Sequence, residues 1–353
     1  MGNPSRVAFK IIFALILTLF IYINKGRKST TIFKAEGSPT ESELPVCMGN
    51  LLDQRESRYL KETRGSLRDI NRLLSKSGSC RLLHYTTDKI VSCLDTLHLK
   101  GNPSSANHSS DSPDDSKLHF VFMGDSRIRQ QFYNFIRLIP DSDCERRPIR
   151  IPSSFHGDID ITSKILKLRL SFQWRPLIND TVIETIRQWA TNETQRPDFI
   201  LLSMAVHHMM EENGGSFKLY REHLLKLAPI LGRLANASRV VWLNQYPSVD
   251  SNSWVNGHNT VIFSEKIHNY NRALRQILEN EKSKILVWDS SNPLAEEYVR
   301  GCATLKRDEP FEIDGRPYLF KDVAYADCND YIHTGYSALS QATQLLFNDI
   351  CNY

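Results

Sequence analysis

The pattern of apolar and polar positions divides the chain into three stretches of different character. Val7 to Ile23 is an almost unbroken apolar run in which Lys10 is the only charge. Gly26 to Pro45 shows no apolar period and is rich in Ser, Thr, Gly and Pro, the composition of a flexible stem. From about Cys47 onward the chain alternates between short apolar runs and helical periodicity. Leu118 to Met123 suits a buried strand, and Arg127 to Ile139 sets Ile128, Phe132, Phe135, Ile136 and Ile139 at helical spacing. Further strands are expected at Leu166 to Trp174, Phe199 to Ser203, Val240 to Leu243 and Ile285 to Trp288. Helices are expected near Thr181 to Trp189, Leu219 to Leu234, Ile267 to Leu278 and Ser337 to Ile350. Residues 100–117, with Pro103, Pro113 and clustered Ser, Asn and Asp, read as a long exposed loop. Such alternation predicts an α/β fold of three layers, one parallel sheet between helices, with ligands outside the carboxyl ends of the strands.

The first apolar run is long enough to span a bilayer as a helix if Lys10 snorkels. No small-x-small cleavage site follows Ile23; Asn24, Lys25, Gly26, Arg27 and Lys28 come directly after it. The expected organisation is therefore a cytosolic tail at 1–6, an uncleaved signal anchor at 7–23, a stem at 24–46 and a lumenal domain at 47–353. Charge does not set the orientation, because Arg6 and Lys10 on one side face Lys25, Arg27 and Lys28 on the other. The cysteines argue for the lumen. Cys47, Cys80, Cys93, Cys144, Cys302, Cys328 and Cys351 all follow the anchor, match no zinc-ligand spacing and suit disulfides in an oxidising compartment. Their odd number leaves at least one thiol free or paired with another chain. Four glycosylation sequons, at Asn107, Asn179, Asn192 and Asn236, agree with a lumenal, single-pass type II placement.

Composition narrows the function. With 353 residues, 41% hydrophobic and 24% charged, the chain is globular rather than disordered, and its formal charge of +4 is not gathered into a basic stripe, so nucleic-acid binding has no support. His207 and His208 invite a metal, yet neighbouring residues in a strand face opposite sides and no carboxylate completes a ligand set, so none is expected.

The chemistry concentrates where the first strong strand meets the first strong helix, at Gly124-Asp125-Ser126. Gly124 permits a sharp turn, and a serine at a helix start sits near unpaired backbone N–H groups and the positive end of the helix dipole, where an oxyanion is stabilised. Asp125 and Ser126 would also serve as ordinary helix caps. A nucleophilic serine needs a base and the base an orienting acceptor. Asp330 and His333, three residues apart just before the last helix, offer both; Asp95 and His98 have the same spacing but precede the serine, beside the loop. Arg129, one turn after Ser126, is placed to bind an acyl oxygen or a phosphate, and equally to face solvent. Trp174 and Trp254 are candidates to stack on a sugar ring or simply to fill the core.

The order strand, Gly-Asp-Ser, helix and late Asp-x-x-His resembles the SGNH/GDSL superfamily. More closely, Gly124-Asp125-Ser126-Arg127-Ile128-Arg129-Gln130 with Phe132-Tyr133 is similar to the lumenal, PC-esterase-like domain of the sialate O-acetyltransferases. Cys47, Cys80 and Cys93, the stretches Phe172 to Pro176 and Ser203 to His208, and Glu265-Lys266-Ile267 with Tyr270-Asn271 extend that resemblance over most of residues 47–353. It implies an SGNH-hydrolase-like, flavodoxin-like sheet. It also implies that Ser126 takes an acetyl group from acetyl-CoA, with no permanently bound cofactor, and passes it to a glycan hydroxyl, sialic acid being the family's acceptor. His333 would be base and acid and Asp330 its orienting partner, in a Golgi or other secretory-pathway membrane. Two departures stand out. The family's full-length members carry a multi-spanning domain that these 353 residues do not contain; the layout is also similar to the single-anchor plant polysaccharide acetyltransferases. The family's middle blocks supply a glycine and an asparagine to the oxyanion hole, whereas Ser203-Met204-Ala205-Val206-His207-His208 offers neither, leaving Gly157 as the candidate second donor. An acetylesterase with the same serine, and a catalytically silent carbohydrate-binding glycoprotein, are the rival readings.

Overall fold

The computed structural model describes residues 83–101, 117–151, 155–210, 215–248, 264–279, 284–289, 332–333 and 336–351, together with short strands between 303 and 326. The expected anchor at 7–23, the stem at 24–46, most of the loop at 100–117, Asn107, Trp254 and Asp330 lie outside them. Among the described residues no helix is long and apolar enough to cross a membrane.

In chain order the elements are α1 (Thr87–Gly101), β1 (Leu118–Gly124), α2 (Ser126–Ile136), β2 (Glu145–Arg147), β3 (Ile159–Ser163), β4 (Leu168–Trp174), α3 (Asp180–Ala190), β5 (Phe199–Ser203), α4 (Phe217–Leu234), β6 (Arg239–Leu243), α5 (Ser264–Leu278), β7 (Leu286–Trp288) and α6 (Tyr336–Cys351). A 3-10 turn, Val206–Met209, follows β5. Between β7 and α6, β8 (Ala303–Lys306) pairs antiparallel with β11 (Val323–Ala326), and β9 (Glu312–Ile313) with β10 (Arg316–Pro317).

Among the described residues the main sheet has seven strands in the order β2-β3-β4-β1-β5-β6-β7. From β4 to β7 every pairing is parallel, as expected. The expectation of a wholly parallel sheet needs correction at one edge, where β3 runs antiparallel to β4 and β2 to β3. The cause is local. Residues 164–167 join β3 to β4 too briefly for a crossover, so the pair must be a hairpin. Lys167 takes φ +48° in that turn. Asp143 fastens it, accepting from the Ser163 hydroxyl at 2.7 Å and from the backbone N–H groups of Lys164 and Ile165 at 2.7 and 2.8 Å.

The central strand explains the layers. Alternate side chains of β1 point to opposite faces, and both are apolar, so both must be covered. Phe120 and Phe122 pack with Ile90 and Leu94 of α1, Ile128, Phe132 and Phe135 of α2, and Leu346 and Phe347 of α6. Val121 and Met123 pack with Val182 and Ile186 of α3, Tyr220 and Leu224 of α4, and Ile267 and Tyr270 of α5. The result is the expected three layers. Each fully buried side chain of this size contributes about 1.5–3 kcal/mol, so the two faces fix the position of the β1 carboxyl end firmly.

Helices α1 and α6 are joined covalently. Cys93 of α1 and Cys351 of α6 form a disulfide across a separation of 258 residues. Around it, Gln344 and Asn348 accept from the backbone N–H groups of Tyr85 and Leu83 at 2.6 and 2.9 Å. Arg239 of β6 pairs with the buried Asp349 at 2.8 Å. Cys144 carries a free thiol.

Candidate active site

The site is built on one glycine. At the end of β1, Gly124 lies in register with Trp174 on one side and Ser203 on the other. Its φ of +152° and its approach to Ser203 leave no room for a side chain: an added Cβ would sit 1.9 Å from the Ser203 carbonyl oxygen. The chain then turns through the fully buried Asp125, whose backbone N–H donates to that same carbonyl at 3.2 Å. Asp125 is the N-cap of α2, its carboxylate accepting from the Arg127 N–H at 3.0 Å. Ser126 follows as the first residue of α2 and is half-exposed, at the positive end of the helix.

His333 reaches this serine. Its Nε2 lies 2.7 Å from Ser126 Oγ, although the two residues stand 207 positions apart. Of the expected acid–histidine pair the structure thus places the histidine, while Asp330 falls outside the described residues. The alternative pair does not approach: His98 lies on α1 with its Nε2 3.2 Å from the Leu166 carbonyl, and Asp95 is exposed.

A polar aromatic shelf adjoins the pair. The Arg129 guanidinium lies over the Trp174 ring at 5.3 Å from its centroid and donates to the Phe155 carbonyl at 2.8 Å. His156 stacks on Trp174 at 4.5 Å, and His207 meets the ring edge-on at 5.7 Å. Arg129 is therefore not a solvent-facing charge; it is buried, and burial draws its pKa below the usual arginine value. Burial lowers the pKa of His207 as well, against the pull of Asp125 and with the repulsion of His333 and Arg129. His156 is lowered by burial, Arg129 and His207. Both imidazoles are neutral at neutral pH, able to give or take one hydrogen bond each. Gly157 sits half-exposed beside this shelf, between His156 and Asp158; Asp158 accepts from the Trp174 N–H at 2.9 Å and pairs with Arg175.

His207 and His208 lie in the 3-10 turn after β5, not in a strand as the sequence pattern suggests, and the turn gives them different surroundings. His208 is fully buried, and its Nε2 accepts from the Ile178 N–H at 2.8 Å, which fixes it as a structural ring protonated on Nδ1. Among the described residues no group of three or more His, Cys, Asp or Glu is arranged to hold a metal ion. Asn179, Asn192 and Asn236 are all exposed, Asn179 also capping α3 through the Val182 N–H at 3.0 Å.

Sequence reasoning missed the part played by Arg127. Its side chain is buried and donates from Nε and Nη2 to the Ile332 carbonyl at 3.1 and 2.7 Å, and from Nη1 to Gln245 Oε1 at 3.0 Å and to the Tyr246 carbonyl. The guanidinium carbon lies over the Tyr246 ring, 3.9 Å from its centroid. Gln245 in turn donates to the Ser203 hydroxyl at 2.7 Å, and Asn271 holds both backbone groups of Gln245. No sequence signal marked it, because a charged residue in the first turn of a helix reads as solvated surface.

No family model matches the chain. A stretch of 181 residues, 51% of the chain, is 27% identical to the N-acetylneuraminate (7)9-O-acetyltransferase of Danio rerio, and covers 22% of that protein. The chain thus matches less than a quarter of that relative's length. The resemblance to SGNH-type sialate O-acetyltransferases that the serine block carries is met by this match. Among solved structures, similarity extends to a peptidoglycan O-acetylesterase, with a TM-score of 0.39 and 6% identity over 72% of this chain and 95% of that one. It extends also to the periplasmic domain of a lipopolysaccharide acetyltransferase of Salmonella ser. Paratyphi A, with a TM-score of 0.31 and 12% identity over 76% and 98%.

Proposed function

We propose that this protein is a glycan O-acetyltransferase that moves an acetyl group from acetyl-CoA to a sugar hydroxyl through an acetyl-Ser126 intermediate. The observation that carries the reading is the 2.7 Å contact between Ser126 Oγ and His333 Nε2 at the N-terminus of a buried helix. Serine and imidazole at that distance form a nucleophile and its base. In the first half-reaction Oγ attacks the thioester carbonyl and His333 takes the serine proton. The C–S bond then breaks, and the proton goes to the departing sulfur. In the second, a sugar hydroxyl gives its proton to His333 and attacks the acetyl-serine; the acetyl group passes to the sugar oxygen and Ser126 recovers its proton. The oxyanion of each step forms beside the α2 N-terminus, where the Ser126 N–H and the helix dipole favour negative charge. In this reading Asp330 orients His333, and the Trp174 shelf with Arg129 receives the acceptor or the acyl oxygen.

The name of the matched zebrafish protein makes sialic acid the first acceptor to try. The expected compartment is the lumen of the Golgi or another secretory-pathway membrane, with residues 7–23 as a single-pass type II anchor. The disulfide between Cys93 and Cys351 suits an oxidising lumen.

The test is mass spectrometry of the purified full chain incubated with acetyl-CoA, beside Ser126→Ala. The expected result is an acetyl adduct on the Ser126 peptide, absent from the variant, that discharges faster to sialic acid or another sugar than to water. Discharge to water alone would make the protein an acetylesterase. No adduct from acetyl-CoA or from simple acetyl esters would refute the serine chemistry.

A further inference from the structure

We infer that Arg127 is the positioning residue that sets the reach of His333 to Ser126; the inference rests on the serine–histidine reading above, not on the identity of donor or acceptor. A single guanidinium joins three parts of the chain that are remote in sequence. Its backbone belongs to α2, where Asp125 pins the N–H of Arg127 one residue after the serine. Nη1 grips the 245–246 segment that follows β6, and Nε with Nη2 closes on the Ile332 carbonyl, the residue directly before His333.

Two donors converging on one carbonyl fix more than a distance. The peptide between Ile332 and His333 is planar, so a two-donor grip on the Ile332 oxygen restrains that peptide and, through it, the place from which the imidazole departs. Around Arg127 itself, the Tyr246 ring covers the guanidinium carbon at 3.9 Å and limits its movement on that side. On the far side, Gln245 connects Arg127 to the Ser203 hydroxyl, and the Ser203 carbonyl holds the Asp125 N–H. The serine turn and the histidine segment are thus referenced to the same rigid fork, and a misplacement of about 1 Å at either is enough to cost on the order of 100-fold in rate. Lysine keeps the charge but has no planar fork and cannot hold both segments at once.

The readout is labelling of Ser126 by a fluorophosphonate, which needs the serine and its base but neither acetyl-CoA nor a sugar. The Oγ–P bond forms, the P–F bond breaks, fluoride leaves and His333 takes the serine proton. In the full chain, Arg127→Lys should label to the same final amplitude as wild type but about 10- to 100-fold more slowly, with kcat for a small acetyl ester falling in parallel and KM changing by no more than about 3-fold. Arg127→Ala should be slower still, and added ethylguanidinium should restore part of its rate. Wild-type labelling rates in Arg127→Lys, or a loss confined to amplitude with the surviving fraction reacting normally, would overturn the inference and leave Arg127 a structural residue. Wild type that labels on Ser126 yet transfers no acetyl group would refute the transferase reading while the rates still decide the role of Arg127. Wild type that does not label at all would refute both.

Discussion

Replacing Gly124 by alanine tests whether the close approach of two strand ends is what presents the serine. The added Cβ would meet the Ser203 oxygen at 1.9 Å, the Ser203 carbonyl carbon at 2.8 Å and Ile128 Cγ2 at 2.9 Å, on a backbone at φ +152° that alanine rarely adopts. Cβ contacts shorter than 3.0 Å essentially do not occur, so the two strand ends must part by at least 1.1 Å (3.0 − 1.9). Ser203 is poorly placed to yield, because its hydroxyl donates to the Leu243 carbonyl at 3.0 Å and accepts from Gln245. The end of β1 therefore moves, and Asp125 and Ser126 move with it. A shift of that size stretches the 2.7 Å serine–histidine contact beyond hydrogen-bond range. We expect Ser126 labelling to slow by about 100-fold and unfolding to become easier by about 2–4 kcal/mol, the sum of overpacking and an unfavourable backbone conformation. Fluorophosphonate kinetics and urea denaturation of the same preparations measure the two effects. An alanine variant that labels within about 3-fold of wild type with an unchanged midpoint would show that the glycine does not position the nucleophile.

Two other consequences can be measured alongside. Burial holds His119 and His208 neutral with pKa values lowered to about 4 from the ordinary 6.5, helped by Arg169 for the first and by His223 and His207 for the second. The unfolded chain binds these protons first as the pH falls, so the stability associated with the neutral rings is complete above 6.5 and is lost as the pH drops toward 4, at up to about 1.4 kcal/mol per pH unit for each ring. Urea midpoints measured between about pH 7.5 and 4.5 should show that slope, and the double variant His119→Asn, His208→Gln should flatten it; an unaltered slope would disprove the assignment. Trp174→Ala removes the ring that Arg129, His156 and His207 all contact, so KM for a sugar acceptor should rise about 10-fold while Ser126 labelling stays within about 3-fold. Equal losses in both would show that the shelf is part of the serine–histidine machinery rather than a separate binding surface.

How far the sequence reveals these features depends on the range of the interactions behind them. Long periodic segments were legible: α3, α4 and α6 lie within two residues of the expected bounds, and β5 matches them, because one strong apolar period decides each element. β2 was not legible, since its Glu-Arg-Arg is exposed throughout and carries no apolar signal. β3 offers only Ile159 and Ile161 in alternation, and its antiparallel sense follows from a four-residue connection that a pattern of strands and helices does not weigh. The serine stood out because its position between strand and helix is local information. His333 could be preferred over His98 only by asking which loop returns to the sheet end. Arg127 was invisible, since its meaning lies in Ile332, Gln245 and Tyr246, more than a hundred positions downstream.

The spacing of the serine and its histidine also bears on how the protein is made. A ribosome adds about 5–20 residues per second, so the 207 positions between Ser126 and His333 correspond to about 10–40 seconds of synthesis. Throughout that interval the nascent chain holds a serine at a helix start with no base beside it. The last helix must then dock and close its bridge to Cys93 through Cys351. Pairing of Ser126 with its imidazole is thus postponed until His333 has been made, and a chain stalled or cut before that point holds the serine without it.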